Sequence, residues 1–200
     1  MKHIKIYENF KDIDSICKKY YITEYNINPD GSLNVFQLVD LANKSLTKIP
    51  LDFEYIDGYF YCGYNNLTTL EGCPRFVNGL IAFNSNKLTT LEGCPYYVAK
   101  NFYCYDNKLT TLEVCPKEMN GNFYFRNNNI KSLYGCPTKV KENIVFHNNQ
   151  LPQEIYDNYQ HIKKIIYWHS EYNVFPPDLS FNKENFLRMM DDIDELGLPD

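Results

Sequence analysis

Several features that define common functional classes are missing from this 200-residue sequence. It has no stretch of about 18 apolar residues, the length that a membrane-spanning helix needs, so we expect no membrane partner. Lysine and arginine number 20 against 25 acidic residues, a net charge of −5. Nonspecific binding to nucleic acid therefore lacks an electrostatic driving force. The first residues, Met1 to Ile6, lack the apolar run of a signal peptide, so we expect a cytoplasmic protein.

Catalytic signatures are equally sparse. No Gly-rich phosphate loop and no nucleophile elbow occurs in the sequence. The histidines are scattered, and none has a nucleophile at a recognisable spacing: His3, His147, His161 and His169. The sequence therefore predicts a non-enzymatic protein that needs no cofactor.

A repeat of 21 residues dominates what is present. Cys-Pro pairs recur at this spacing, and five columns of apolar residues or asparagine keep the same step. Such a fixed period predicts a solenoid, in which stacked units bury a core that one unit cannot bury alone. The columns are Phe60, Ile81, Phe102, Phe123 and Ile144; Cys62, Phe83, Cys104, Phe125 and Phe146; Asn65, Asn86, Asn107, Asn128 and Asn149; Leu67, Leu88, Leu109, Ile130 and Leu151; and Leu70, Leu91, Leu112 and Leu133.

The repeat unit predicts its own local structure. Two apolar residues separated by one position indicate a short strand with both side chains pointing inward. The asparagine that follows has donors and acceptors, so it can satisfy backbone groups of neighbouring turns. Proline in the Cys-Pro pair fixes φ and lacks a donor, which suits a turn. A unit this short leaves little room for a helix on its far side, where we expect extended or 3₁₀ backbone.

The pattern resembles the leucine-rich repeat family, L-x-x-L-x-L-x-x-N-x-L, from Leu38 to Leu151. The phrase Leu88 to Pro95 recurs almost unchanged at Leu67 to Pro74. It is similar to phrases in short leucine-rich repeat proteins that bacteriophages encode. The resemblance implies an α/β leucine-rich repeat solenoid with a parallel β-sheet on its concave face, and action in the cytoplasm of an infected host.

The flanking segments predict caps on one continuous domain. Residues 1–37 form the predicted N-terminal cap, with a helix over Glu8 to Tyr20 and a hairpin over Thr23 to Leu41. Residues 38–151 hold the repeats, and residues 152–200 form the predicted C-terminal helical cap. In that cap, apolar spacing predicts one helix with Ile155, Tyr159, Ile162 and Ile166 inward. A second helix follows from Asn182 to about Glu195, with inward residues Phe186, Leu187, Met190 and Ile193.

Cysteine usage favours a reducing compartment. Seven cysteines is an odd number, no Cys-x-x-Cys pair occurs, and six cysteines stand at repeat positions. We interpret them as small buried apolar residues. A row of cysteines along a solenoid does not make a tetrahedral cage, so no metal site is predicted. Oxidation between stacked Cys-Pro sulfurs stays open.

Alternation along the strands predicts which side chains face outward. One outward column contains Tyr61, Ala82, Tyr103 and Tyr124, and the next contains Gly63, Asn84, Tyr105 and Arg126. Tyrosine and arginine are enriched at binding hot spots, although tyrosine is also a good strand residue in its own right. The predicted partner-binding residues are Tyr59, Tyr61, Tyr64, Tyr103, Tyr105, Tyr124, Arg126 and His147.

These observations favour a module that binds a protein, and the phage resemblance suggests a host or defence protein as the partner. Two alternatives stay open: a binder of a small molecule or nucleotide signal that stacks on the tyrosines, and a structural or self-assembling component. The sequence leaves the partner's identity and the oligomeric state open.

Overall fold

A computed structural model of the chain describes residues 10–198, which contain a solenoid of stacked 21-residue turns. Each turn adds a short strand to a six-stranded parallel sheet, and residues 21 positions apart pair across it, as Phe60 does with Ile81. This confirms the predicted solenoid and its parallel sheet. The six strands are β3 (Val39–Asp40), β5 (Phe60–Tyr61), β7 (Ile81–Ala82), β9 (Phe102–Tyr103), β11 (Phe123–Tyr124) and β13 (Ile144–Val145).

The far side of the turns is also built of strands. There the sequence predicted extended or 3₁₀ backbone, and the structure has parallel strands in two groups. Their buried positions form a sixth periodic column that the sequence analysis overlooked: Val77, Val98, Met119 and Val140. The first group contains β2 (Leu33–Val35), β4 (Phe53–Ile56), β6 (Phe76–Val77) and β8 (Tyr97–Val98), and the second contains β10 (Glu118–Met119) and β12 (Lys139–Val140).

The core fills the space between these strands. The inward apolar columns are buried as the alternation predicts, except Ile144 in the last turn, which is partly buried; Phe60, Phe102 and Phe123 are each 0% exposed. Neighbouring phenylalanine rings meet edge to face, with 5.9 Å between the ring centroids of Phe102 and Phe123. Burying one such side chain contributes about 1.5–3 kcal/mol. The columns are therefore a main source of the solenoid's stability.

The repeated asparagines link consecutive turns. Asn86 Nδ2 donates to the carbonyl oxygens of Cys62 (3.0 Å) and Phe83 (2.9 Å), and Asn86 Oδ1 accepts from the Leu67 amide (2.9 Å). This confirms that the amide satisfies backbone groups of the neighbouring turn. The same arrangement recurs in the other turns, at Asn65, Asn107, Asn128 and Asn149.

A helix and a hairpin precede the repeats. Helix α1 (Phe10–Lys19) buries Ile13 and Cys17, and the predicted start of this helix at Glu8 lies outside the described residues. Strand β1 (Tyr25–Ile27) pairs antiparallel with β2, which also pairs in parallel with β4. The hairpin therefore joins the strands on the far side of the turns directly, through β2.

After the repeats, the single predicted helix over residues 155–166 is wrong. The structure has α2 (Gln153–Asp157), a 3₁₀ turn (Tyr159–His161) and α3 (Ile162–Trp168). Asn158 interrupts the helix, because its Nδ2 donates to the Glu154 carbonyl (2.9 Å) and its backbone leaves helical geometry. Tyr159, predicted to face inward, is consequently 67% exposed.

The last predicted helix is confirmed as α4 (Lys183–Leu196). Asn182 caps it by accepting a hydrogen bond from the Asn185 amide (3.0 Å). Leu187 was predicted to be inward but is 49% exposed, and Met189 is buried instead. The buried stripe of a helix follows steps of three and four residues, and Leu187 falls outside that stripe. Within residues 10–198, no helix combines the length and apolar character that crossing a membrane requires.

Candidate functional site

The strand register brings the outward tyrosines onto one surface. Tyr61 pairs with Ala82, Ala82 with Tyr103, and Tyr103 with Tyr124, so these residues are neighbours across the six-stranded sheet. The ring centroids of Tyr103 and Tyr124 are 5.0 Å apart. We call this surface the tyrosine face and define it as Tyr59, Tyr61, Tyr64, Tyr103, Tyr105, Tyr124 and Arg126.

Small residues in the middle turn let tyrosines from both sides approach each other. Ala82 and Asn84 are each 5% exposed although they belong to the outward columns, so larger neighbours cover them. Burial, and then the nearby Tyr124, raises the pKa of Tyr103 above its ordinary value. Burial, and then Tyr64, does the same to the pKa of Tyr105. The face therefore has two groups of touching rings on either side of the Ala82 turn, Tyr59 with Tyr61, and Tyr103 with Tyr105 and Tyr124.

Two cations lie against the rings. Arg126 Cζ is 4.4 Å from the centroid of the Tyr105 ring, and Arg126 Nη1 is 3.6 Å from Asp106 Oδ1. Lys100 Nζ is 5.3 Å from the centroid of the Tyr59 ring. Cation–π contacts of this kind contribute about 0.5–1 kcal/mol at exposed sites. Arg126 and Tyr105 thus hold each other in place at one side of the face.

Asparagine side chains position Tyr103 from one side. Asn101 Nδ2 donates to the Tyr103 hydroxyl (2.8 Å), and Asn101 Oδ1 accepts from Asn122 Nδ2 (3.0 Å). Asn122 Nδ2 also lies 2.8 Å from Glu142 Oε2. A hydroxyl held in this way has few alternative orientations, so the centre of the face is ordered before any partner arrives.

His147 is the one predicted site residue outside the tyrosine face. It follows Arg126 in the same outward column, one strand further along the sheet, and its side chain is exposed. The Asn127 amide donates to its backbone carbonyl (3.0 Å). The structure therefore places His147 at the last strand, beside the tyrosine face.

A second group of exposed aromatic residues was missed by the sequence analysis. Phe76, Tyr96 and Tyr97 are 41%, 74% and 45% exposed, and they lie on or beside β6 and β8. The ring centroids of Phe76 and Tyr96 are 6.4 Å apart. Phe76 and Tyr97 are 21 residues apart and pair between β6 and β8, and this spacing was the signal in the sequence. It lies in the segment after each Cys-Pro pair, where the sixth periodic column was overlooked.

The structure also brings together a cysteine and a histidine that are distant in sequence. Cys136 Sγ lies 3.5 Å from His169 Nε2, and both residues are 2% exposed. Burial raises the pKa of Cys136 to about 12, and burial lowers the pKa of His169 to about 4. Both groups are therefore neutral at pH 7, a thiol beside an imidazole rather than an ion pair. A pocket of about 400 Å³ borders this pair and is also lined by Lys117 and Tyr134.

All seven cysteines are free and buried, as predicted for small apolar residues. Burial raises the pKa of Cys62 and Cys94 to about 12, so these thiols stay protonated at neutral pH. Over the part of the chain that the structure describes, no cluster of three or more histidine, cysteine or acidic side chains could hold a metal ion.

Comparison of the chain with protein-family models, with curated proteins and with solved structures gave no match.

Proposed function

We propose that this protein is a non-enzymatic module that binds another protein through the tyrosine face. The observation that carries the proposal is the outward group of six tyrosines and Arg126 on one sheet, with ring contacts on both sides of the Ala82 turn. Tyrosine and arginine dominate binding hot spots because they are large, have few rotatable bonds for their size and end in polar groups. An exposed aromatic patch of this extent favours a partner.

The contacts within the face support the proposal, because ordering side chains on binding costs free energy. Tyr103 is held by Asn101, and Tyr105 by Arg126, before a partner binds. A preordered face retains more of its contact energy as affinity. A tyrosine that is held in one orientation also presents a defined shape that a complementary protein surface can recognise.

The biological setting of the proposal comes from the repeat phrases. Their likeness to leucine-rich repeat proteins of bacteriophages supports a leucine-rich repeat protein that acts in the cytoplasm of an infected bacterium. We propose a host or defence protein as the partner. Its binding would block or redirect that protein's activity.

The test is affinity capture from bacterial lysate with two matched variants. The first, Tyr103→Ala/Tyr105→Ala/Arg126→Ala, removes the centre of the tyrosine face. The second, Phe76→Ala/Tyr96→Ala/Tyr97→Ala, removes the same number of large exposed side chains from the other side of the turns. We expect the prey to be lost with the first variant and retained with the second, with an affinity loss of at least about 100-fold for purified prey.

Equal retention of a specific prey by both variants would place binding elsewhere and contradict the proposal. Both variants must first show the melting temperature of a folded protein. A rise in melting temperature with nucleotides, in the absence of any prey that depends on the tyrosine face, would instead support the small-molecule alternative.

A further inference from the structure

The last strand of the six-stranded sheet has an unpaired outer edge. In earlier turns the strand amides donate to the following turn, as Phe123 does to the Asn143 carbonyl and Phe125 to the Val145 carbonyl, both at 2.9 Å. The equivalent amides in the last turn belong to Ile144, Phe146 and Asn148. Strand β13 pairs only with β11, and none of the described residues accepts a hydrogen bond from these three amides.

At the opposite edge of the same sheet, two side chains satisfy part of the outward backbone. On β3, Asp40 Oδ1 accepts a hydrogen bond from the Ala42 amide (2.9 Å), and Gln37 Nε2 donates to the Leu38 carbonyl (3.2 Å). These backbone groups would otherwise face outward and invite another strand. Charged side chains and local hydrogen bonds are common ways of protecting a sheet edge.

On the far side of the turns, helix α3 covers the outer strand β12. Lys163 Nζ on α3 donates to the Lys141 carbonyl next to β12 (2.8 Å), and α3 packs against that strand. At the other end, β1 pairs with β2. No comparable contact to the outward amides of β13 is found among the described residues.

Two ladders of side-chain amides end at the same edge. In the first, Asn122 Oδ1 accepts from Asn143 Nδ2 (3.0 Å), and in the second, Asn127 Oδ1 accepts from Asn148 Nδ2 (2.8 Å). Each rung accepts from the next turn, so the last rungs, Asn143 and Asn148, present open Oδ1 acceptors. No donor to either oxygen is found among residues 10–198, and both side chains are exposed.

We propose that β13 binds an extended segment of a partner protein as a seventh, parallel strand. Backbone carbonyls of that segment accept from the amides of Ile144, Phe146 and Asn148. The polarity of the ladders specifies its side chains: asparagine or glutamine at two positions five residues apart, donating to Asn143 Oδ1 and Asn148 Oδ1. The added strand continues the sheet that carries the tyrosine face, but its binding does not require that face.

A synthetic peptide with the sequence of residues 121–129, acetylated and amidated, is a suitable probe. Its Asn122 and Asn127 have the required spacing, and it matches a strand of the repeat itself. We expect the peptide to slow hydrogen exchange at the amides of Ile144, Phe146 and Asn148 by at least about tenfold, as followed by NMR. The amide of Ala42, which already donates to Asp40 Oδ1, should not change.

Matched variants test the ladder chemistry. A peptide with both asparagines replaced by alanine should bind about tenfold or more weakly, and so should the protein variant Asn143→Ala/Asn148→Gly. Glycine is chosen at Asn148 because its φ is +56°. The Tyr103→Ala/Tyr105→Ala/Arg126→Ala variant should bind the peptide as the native protein does, so the two binding modes can fail separately. Absence of protection at about 1 mM peptide, or equal binding of the alanine peptide, would overturn the proposal.

Discussion

At the scale of single residues, Val114 departs from the repeat where the other turns have glycine. Gly72, Gly93 and Gly135 have φ of +88°, +87° and +79°, and Val114 adopts φ of +64° at the equivalent position. A β-branched residue is strained in this left-handed region because its side chain crowds the backbone. The strands on the far side of the turns are also interrupted at this turn, between β8 and β10.

Val114→Gly should therefore stabilise the protein, which is unusual for a substitution. Relief of left-handed strain outweighs the extra chain entropy of glycine by about 1 kcal/mol, and the side chain is 58% exposed, so little apolar burial is lost. Urea and thermal unfolding measure the change. The matched variant Gly93→Val should shift stability in the opposite direction; a destabilised Val114→Gly protein would contradict the strain argument.

His169 couples stability to pH. Burial, and then the nearby Lys117, lowers the pKa of His169 from 6.5 to about 4, so the folded state disfavours the protonated ring. The stabilising effect of a neutral His169 is complete above pH 6.5 and is lost as the pH falls towards 4. The loss amounts to roughly 3 kcal/mol across that window.

His169→Leu removes this titration while keeping an apolar side chain of similar size. We expect the free energy of unfolding of this variant to fall less steeply between pH 6.5 and 4 than that of the native protein, measured by urea titration at several pH values. The matched control is His147→Leu, which makes the same substitution at an exposed position. Parallel curves for His169→Leu and the native protein would show that another group governs this range.

At the scale of elements, the asparagine rungs join one turn to the next. Asn86→Ala removes the partners of two carbonyl groups and one amide, all buried between turns. We expect a loss of about 2–4 kcal/mol in the free energy of unfolding, since each unmade buried hydrogen bond costs about 1 kcal/mol. Asn66→Ala is the control in the loop of the preceding turn and should cost under about 1 kcal/mol. Similar losses for both variants would mean that the hydrogen bonds of Asn86 do not account for the loss of stability.

The helical elements show how sequence patterns succeed and fail. Spacing of apolar residues correctly indicated α4, whose cap at Asn182 and end at Gly197 are both local signals. The same kind of spacing was misleading between Ile155 and Ile166, where the helix breaks at Asn158. A side chain that bonds to the preceding turn competes with the helix, and apolar periodicity does not register that competition.

At the scale of the whole molecule, a solenoid is stabilised by contacts between neighbouring turns. Its two ends therefore carry the problems that a closed globule does not have, namely open sheet edges and an uncovered core. Asp40 and Gln37 form hydrogen bonds with backbone groups at one end, and Lys163 on α3 does so at the other. Strand β13, which contains Val145 and is followed by His147, continues the sheet that carries the tyrosine face.

The sequence alone determined the repeat, the inward columns and the outward tyrosines, because a period of 21 residues and a two-residue alternation are written directly in the order of the residues. Only the tertiary structure decided which groups distant in sequence would meet. It placed Cys136 beside His169, buried Ala82 within an outward column, and left the outward amides of β13 without an acceptor among the described residues. These outcomes depend on distances between turns and caps, and no local pattern encodes those distances.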